Sequence, residues 1–223
     1  MGTAELYKGD GKLVIRSVFH FYGGAASPTL SQQIAEEIAS AWNEPSAEVG
    51  IRGEGVAVQF EIEGIYAPDL APEAVWYNTD PRMNFFRIEE FSAHDISFVD
   101  NINCNTGYFK LGNLLNRSTT AAHEYGHTLG LDHPAVMDIR SNGQPGIMYP
   151  RGTLCDPAYQ YDPRAQPLQP GGTMNPVFRK VLSGDIANLQ LHRLSFDRKW
   201  LAVLGDFSSL YHERHEKELP GTR

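Results

Sequence analysis

Only 2 cysteines occur in 223 residues, Cys104 and Cys155, far apart and in no C-x-x-C arrangement. That excludes a dense disulfide scaffold and a cysteine-ligated zinc site; the pair forms either one disulfide or two buried thiols. No apolar run approaches the roughly 20 residues that a membrane-spanning helix needs, so membrane insertion is not expected. Basic charge is in deficit. Lys and Arg number 19 against 27 Asp and Glu, and the net charge of -8 repels phosphate backbones, which argues against a nucleic-acid partner. The opening residues, "MGTAELYKGDGKLVIRSV", contain no apolar core of a secretory signal. Internal repeats and low-complexity tracts are missing too.

What is there suits one domain over 1–223 with an ordinary globular composition. Residues 12–22, "KLVIRSVFHFY", are rich in β-branched and aromatic side chains and stop at Gly23-Gly24, which predicts a strand. Leu30, Ile34, Ile38 and Trp42 recur four apart before Pro45, the pattern of an amphipathic helix laid on a sheet. In "GVAVQFEIEG" apolar and other residues alternate, predicting a half-buried strand, and "MNFFRIEEF", "DISFVDNI" and "TGYFKLG" read as further strands. This strand-rich lobe covers about 10–133. From about 134 to 205 the chain is Pro- and Gly-rich and mostly irregular, closing with a helix in "LSGDIANLQLHRL", where Ser183 is the expected N-cap. Residues 206–223 read as a charged, solvated tail, His212 and His215 included.

Three of the 8 histidines crowd into "AAHEYGHTLGLDHP", residues 121–134. On a helix His123 and His127 share one face, so both imidazoles can meet one ion. Gly130 can end the helix in a backbone conformation open to few other residues and turn His133 back to the same point. Three neutral nitrogens suit Zn²⁺ and leave a fourth position open. Glu124 is turned away from the ion but can reach a water beside it, as a general base must. Ordinary residue frequencies produce H-E-x-x-H-x-x-G-x-x-H on the order of once in 10⁵ chains of this length, so coincidence is a poor account.

With these residues the chain resembles the metzincin zinc peptidases. His123, Glu124, His127, Gly130 and His133 match their motif, "GIMYP" is similar to their Met-turn with Met148 as its methionine, and "LSGDIANLQ" resembles the last helix of matrixins. The resemblance implies an α+β fold: a twisted mixed β-sheet upper lobe with two long helices, and a small irregular lower lobe carrying the Met-turn and a C-terminal helix. It further implies a monomeric, secreted zinc endopeptidase acting on proteins or peptides. Two departures stand out. Pro150 occupies the position where related enzymes carry a zinc-approaching tyrosine, and Gly152 replaces a pocket-lining tyrosine of matrixins. Tyr149, Pro150, Arg151 and Gly152 are the resulting candidates for the substrate pocket, and a Cys104–Cys155 bond would tie that loop down. No inhibitory P-R-C-G segment precedes the first strand, and Asp156 and Asp162 have no recognisable calcium-loop spacing, so no calcium site is assigned. The alternatives are a zinc amidase or small-peptide hydrolase, and a zinc-retaining pseudoenzyme that only binds partners.

Overall fold

The sheet is organised around the segment that periodicity marks at residues 12–22. The computed structural model describes residues 1–115 and 118–216. In chain order its elements are strands β1 (Gly2–Tyr7) and β2 (Lys12–Tyr22), helix α1 (Pro28–Asn43), strands β3 (Glu48–Ile51) and β4 (Glu54–Tyr66), helix α2 (Pro72–Trp76), strands β5 (Met83–Glu89), β6 (Phe98–Val99) and β7 (Thr106–Lys110), helices α3 (Leu111–Leu114), α4 (Thr120–Thr128) and α5 (Ser183–Asn188), and strand β8 (Leu201–Leu204). One edge of β2 pairs in parallel with β4. Its other edge is divided: β1 runs antiparallel to residues 12–16, and β5 runs parallel to residues 18–22. Partners of opposite direction on one edge cannot continue a single flat ladder. The result is a curled mixed sheet in the order β3-β4-β2-β5-β7-β6, with β1 and β8 as a branch and β6 at the outer edge.

Alternate residues Leu13, Ile15, Phe19 and Phe21 of β2 are wholly buried on the face that α1 covers. Ser27 starts α1, its Oγ accepting the Leu30 N–H at 3.2 Å, with Pro28 in the first turn. Ile34, Ile38 and Trp42 then point inward, and each is nearly inaccessible to solvent. Tyr125 of α4 completes this core: its ring lies against Phe19 and Trp42, and its hydroxyl is 2.9 Å from Ser17 Oγ. No helix among the described residues is long and apolar enough to cross a membrane.

One half-buried group on α1 is out of balance. Glu37 Oε1 has no hydrogen-bond partner, and burial pushes its carboxyl up to about 7, with Arg179 pulling the other way. Because its folded pKa lies above that of the unfolded chain, the stabilisation is present at low pH and fades as pH rises through 7. Glu37→Gln imitates the protonated acid. It should therefore leave stability unchanged at pH 5 and raise it by about 1–2 kcal/mol at pH 8, as read by denaturant melts at both pH values. Equal shifts at the two pH values would rule this account out.

Several sequence expectations need correction. Of the two long helices expected, only α1 is long; α4 has 9 residues. The closing helix is α5, 6 residues capped by Leu182 rather than Ser183, with Gln190 in a left-handed conformation breaking the chain before a short 3₁₀ turn at Leu191–Arg193. "DISFVDNI" shrinks to the two residues of β6. Leu201–Leu204, placed in the irregular lobe, instead joins the sheet by pairing with β1. The two cysteines are not bonded: Cys155 is buried with Ile139 and Met174, while Cys104 lies beside Asp206. Residues 206–216 are not a free tail. Tyr211 stacks on Tyr22, His215 stacks on Tyr108 at 4.1 Å, and His212 Nε2 contacts Asp100 Oδ1 at 2.8 Å. The remainder of that expected tail, 217–223, lies outside the described residues.

Candidate metal centre

Every residue of α4 is buried, so this helix is held by packing on both sides and not by its short length. Gly126 permits the tightest of these contacts, since a Cβ there would overlap Met148 Sδ. His123 and His127 follow each other on the remaining face, ring centroids 4.8 Å apart. The helix then ends in a Schellman arrangement, Leu131 N donating to Gly126 O at 3.0 Å and Gly130 N to His127 O at 3.1 Å. Gly130 has φ +101°, and a side chain there would also strike Asn103 Oδ1. Reversal of the chain at this glycine sets His133 Nε2 at 3.1 Å from both His123 Nε2 and His127 Nε2.

The outer nitrogens fix the tautomers. His123 Nδ1 is 2.7 Å from Ile147 O and His127 Nδ1 is 2.7 Å from Leu131 O. A carbonyl only accepts, so each Nδ1 carries the proton and each Nε2 presents a lone pair inward. Arg179 Nη1 also lies 2.9 Å from His123 Nδ1, but both are donors there, and Nη1 gives one of its two hydrogens to Tyr149 O at 3.1 Å. Burial, ahead of the charge of Arg179, holds His123 well below the usual imidazole range, and burial also lowers His127 and His133. All three are thus disposed to be neutral ligands.

This donor set fits a metal ion. A single proton on His133 Nε2 could relieve one of its two close nitrogen contacts, never both, whereas a cation relieves all three nitrogens together. The 3.1 Å from His133 to each of the other two nitrogens is near the roughly 3.3 Å that separates ligands on a tetrahedral ion at about 2.0–2.1 Å, and all three ligand atoms lie within 4.8 Å of one another. Among the described residues, His123, His127 and His133 are the group able to hold such an ion, and the exposed His133 leaves one side open.

The histidines and Glu124 line one cavity of about 550 Å³, walled on the opposite side by Ile96–Ile102 around edge strand β6. Burial pushes the Glu124 carboxyl up to about 8, against Arg179 and a backbone N–H of Val99. Met148 lies beneath α4, and the turn that carries it is pinned by Asp185, which accepts from Leu182 N at 2.8 Å and Ile147 N at 3.4 Å.

Of the four pocket candidates, Pro150 and Arg151 line the cavity. Tyr149 does not: its side chain packs on Ile139, Cys155 and Met174. Gly152 is exposed at φ +91° and faces open space. Sequence reasoning missed Arg179, a cavity-lining residue only 6% exposed, whose Nε donates to Thr119 Oγ1 at 2.8 Å. No periodicity marks it within the irregular segment, and one of 19 Lys and Arg residues, next to Lys180, does not stand out in the sequence. No protein-family model and no curated protein matches this sequence. The site's own geometry carries its reading.

Proposed function

We propose that the protein is a zinc-dependent metallopeptidase of metzincin type, hydrolysing peptide bonds in proteins or peptides. The observation that carries this is the convergence of three imidazole Nε2 atoms beside a buried glutamate in one open cavity. Neutral imidazoles with a vacant side favour zinc over harder cations, which take oxygen donors. When bound, zinc supplies a Lewis acid that polarises a carbonyl and acidifies water. Glu124 then accepts the proton of the attacking water on a carboxylate oxygen and passes it to the departing amine. Ile147 O and Leu131 O keep the first two imidazoles in the ligating tautomer, while Met148 gives them an apolar floor without competing donors. The H-E-x-x-H-x-x-G-x-x-H spacing and the Met148 turn support the same reading, as does the mixed α+β architecture.

The test is cleavage-site profiling on a diverse peptide library with zinc-loaded and metal-stripped protein. Internal peptide bonds should be cut by the loaded protein alone, and activity should return on adding zinc. Cleavage confined to non-peptide amides would replace the peptidase reading with the amidase one; binding without any turnover would indicate a pseudoenzyme.

A further inference from the structure

Arg179 is buried, yet it forms no ion pair among the described residues. Its hydrogen bonds go to neutral acceptors, Thr119 Oγ1 and Tyr149 O, while Nη1 lies 2.9 Å from the protonated Nδ1 of His123 without donating to it. A desolvated guanidinium is normally matched to a carboxylate, because burying an unpaired charge is costly. Glu124 and Glu37 act on it only through space, and Glu124 is committed to the reaction centre. Arg179 Nη2, with two N–H donors, makes no hydrogen bond among the described residues and does not rank among the sealed, unsatisfied atoms. Its remaining outlet is the cavity that it lines. Arg151 stands at the same cavity, its Nη2 reaching only a neutral acceptor, Asn113 Oδ1, at 3.3 Å. Of the two acidic residues on the wall besides Glu124, Asp100 is taken up by His212 and Thr106, and Asp132 by the His133 N–H.

We infer that Arg179 and Arg151 form a carboxylate-accepting subsite beside the metal centre, so that the enzyme selects substrates with an acidic group next to the scissile bond. This rests on the peptidase reading above. A guanidinium fork matches a carboxylate through two parallel hydrogen bonds and discriminates against the isosteric amide, which presents an N–H to the same donors. The carboxylate can come from an Asp or Glu side chain or from the end of a short peptide. Arg179 is deep and fixed, whereas Arg151 is exposed and adjustable, so Arg179 sets the selectivity and Arg151 strengthens it.

Three matched peptides separate the sources: one with Glu flanking the cleaved bond and an amidated end, one with Gln and an amidated end, and one with Gln and a free terminal carboxylate beside the bond. A carboxylate-bearing peptide should exceed the neutral one by about 10- to 100-fold in kcat/KM, and the better of the two identifies the source. Arg179→Gln should abolish that ratio, while Arg151→Glu, on the surface and safe for folding, should reduce it several-fold. A merely structural role for Arg179 would slow all three peptides alike and leave the ratio standing. Equal cleavage of acidic and neutral peptides by the parent, or a ratio unaffected by Arg151→Glu, overturns the subsite. Should nothing be cleaved, the peptidase reading fails by itself. Calorimetric binding of the same peptides to the zinc-loaded protein then decides the subsite, with equal affinities counting against it.

Discussion

Replacing Glu124 with alanine is expected to lower kcat by about 10²- to 10⁴-fold while zinc content and folding stay close to those of the parent. The separation follows from position. Glu124 lies in the cavity wall next to His123 but outside the three-histidine group among the described residues, so its loss would remove the proposed proton acceptor and spare the nitrogens. Its removal also relieves a carboxylate that burial disfavours, so the fold has no reason to weaken. Steady-state cleavage of a peptide found by profiling, with metal analysis and thermal melting in parallel, measures all three. A variant that cuts at near-parental rate would refute the base assignment; one that also loses zinc would show that Glu124 helps hold the ion.

The second large effect is expected at His127. His127→Ala should take zinc from one ion per chain to almost none in dilute zinc, and abolish turnover with it. An ion held by the three histidines would bind only the folded chain, so zinc at about 1,000 times its Kd should stabilise the parent by about 4 kcal/mol, visible as a higher Tm that chelation reverses. The variant should show no such response. His192→Ala, in the 3₁₀ turn far along the chain, serves as the control and should behave as the parent does. Full metal content in His127→Ala would place the ion elsewhere.

The three-histidine cluster was legible because it is local. Residues 123 to 133 contain both the helical spacing and the glycine that reverses the chain, and the Gly130 turn places His133 as the spacing requires. β2 and α1 were legible for a similar reason: their apolar periods persist over 11 and 16 residues. What escaped depends on partners distant in sequence. β1 and β8 are short, and their strand character comes from pairing with each other and with β2, which no local pattern records. The C-terminal segment looks like a charged coil, yet Tyr211, His212 and His215 find aromatic rings and Asp100 on the sheet. Arg179 reaches the cavity through an irregular stretch, and Tyr149 turns away from it because an apolar cluster of Ile139, Cys155 and Met174 offers a better surface.

The two helix-borne histidines differ in where their outer hydrogen bond ends. His127 is oriented by Leu131 O, inside the same short segment, whereas His123 is oriented by Ile147 O, on the turn that Asp185 fastens to α5. A transplant of residues 120–133 onto a foreign scaffold would therefore carry the carbonyl that orients His127 and leave His123 free to flip its tautomer. The smallest portable version of this centre is discontinuous: it needs the helix and its reversal, the Met148 turn, and the carboxylate that anchors that turn from 37 positions beyond it.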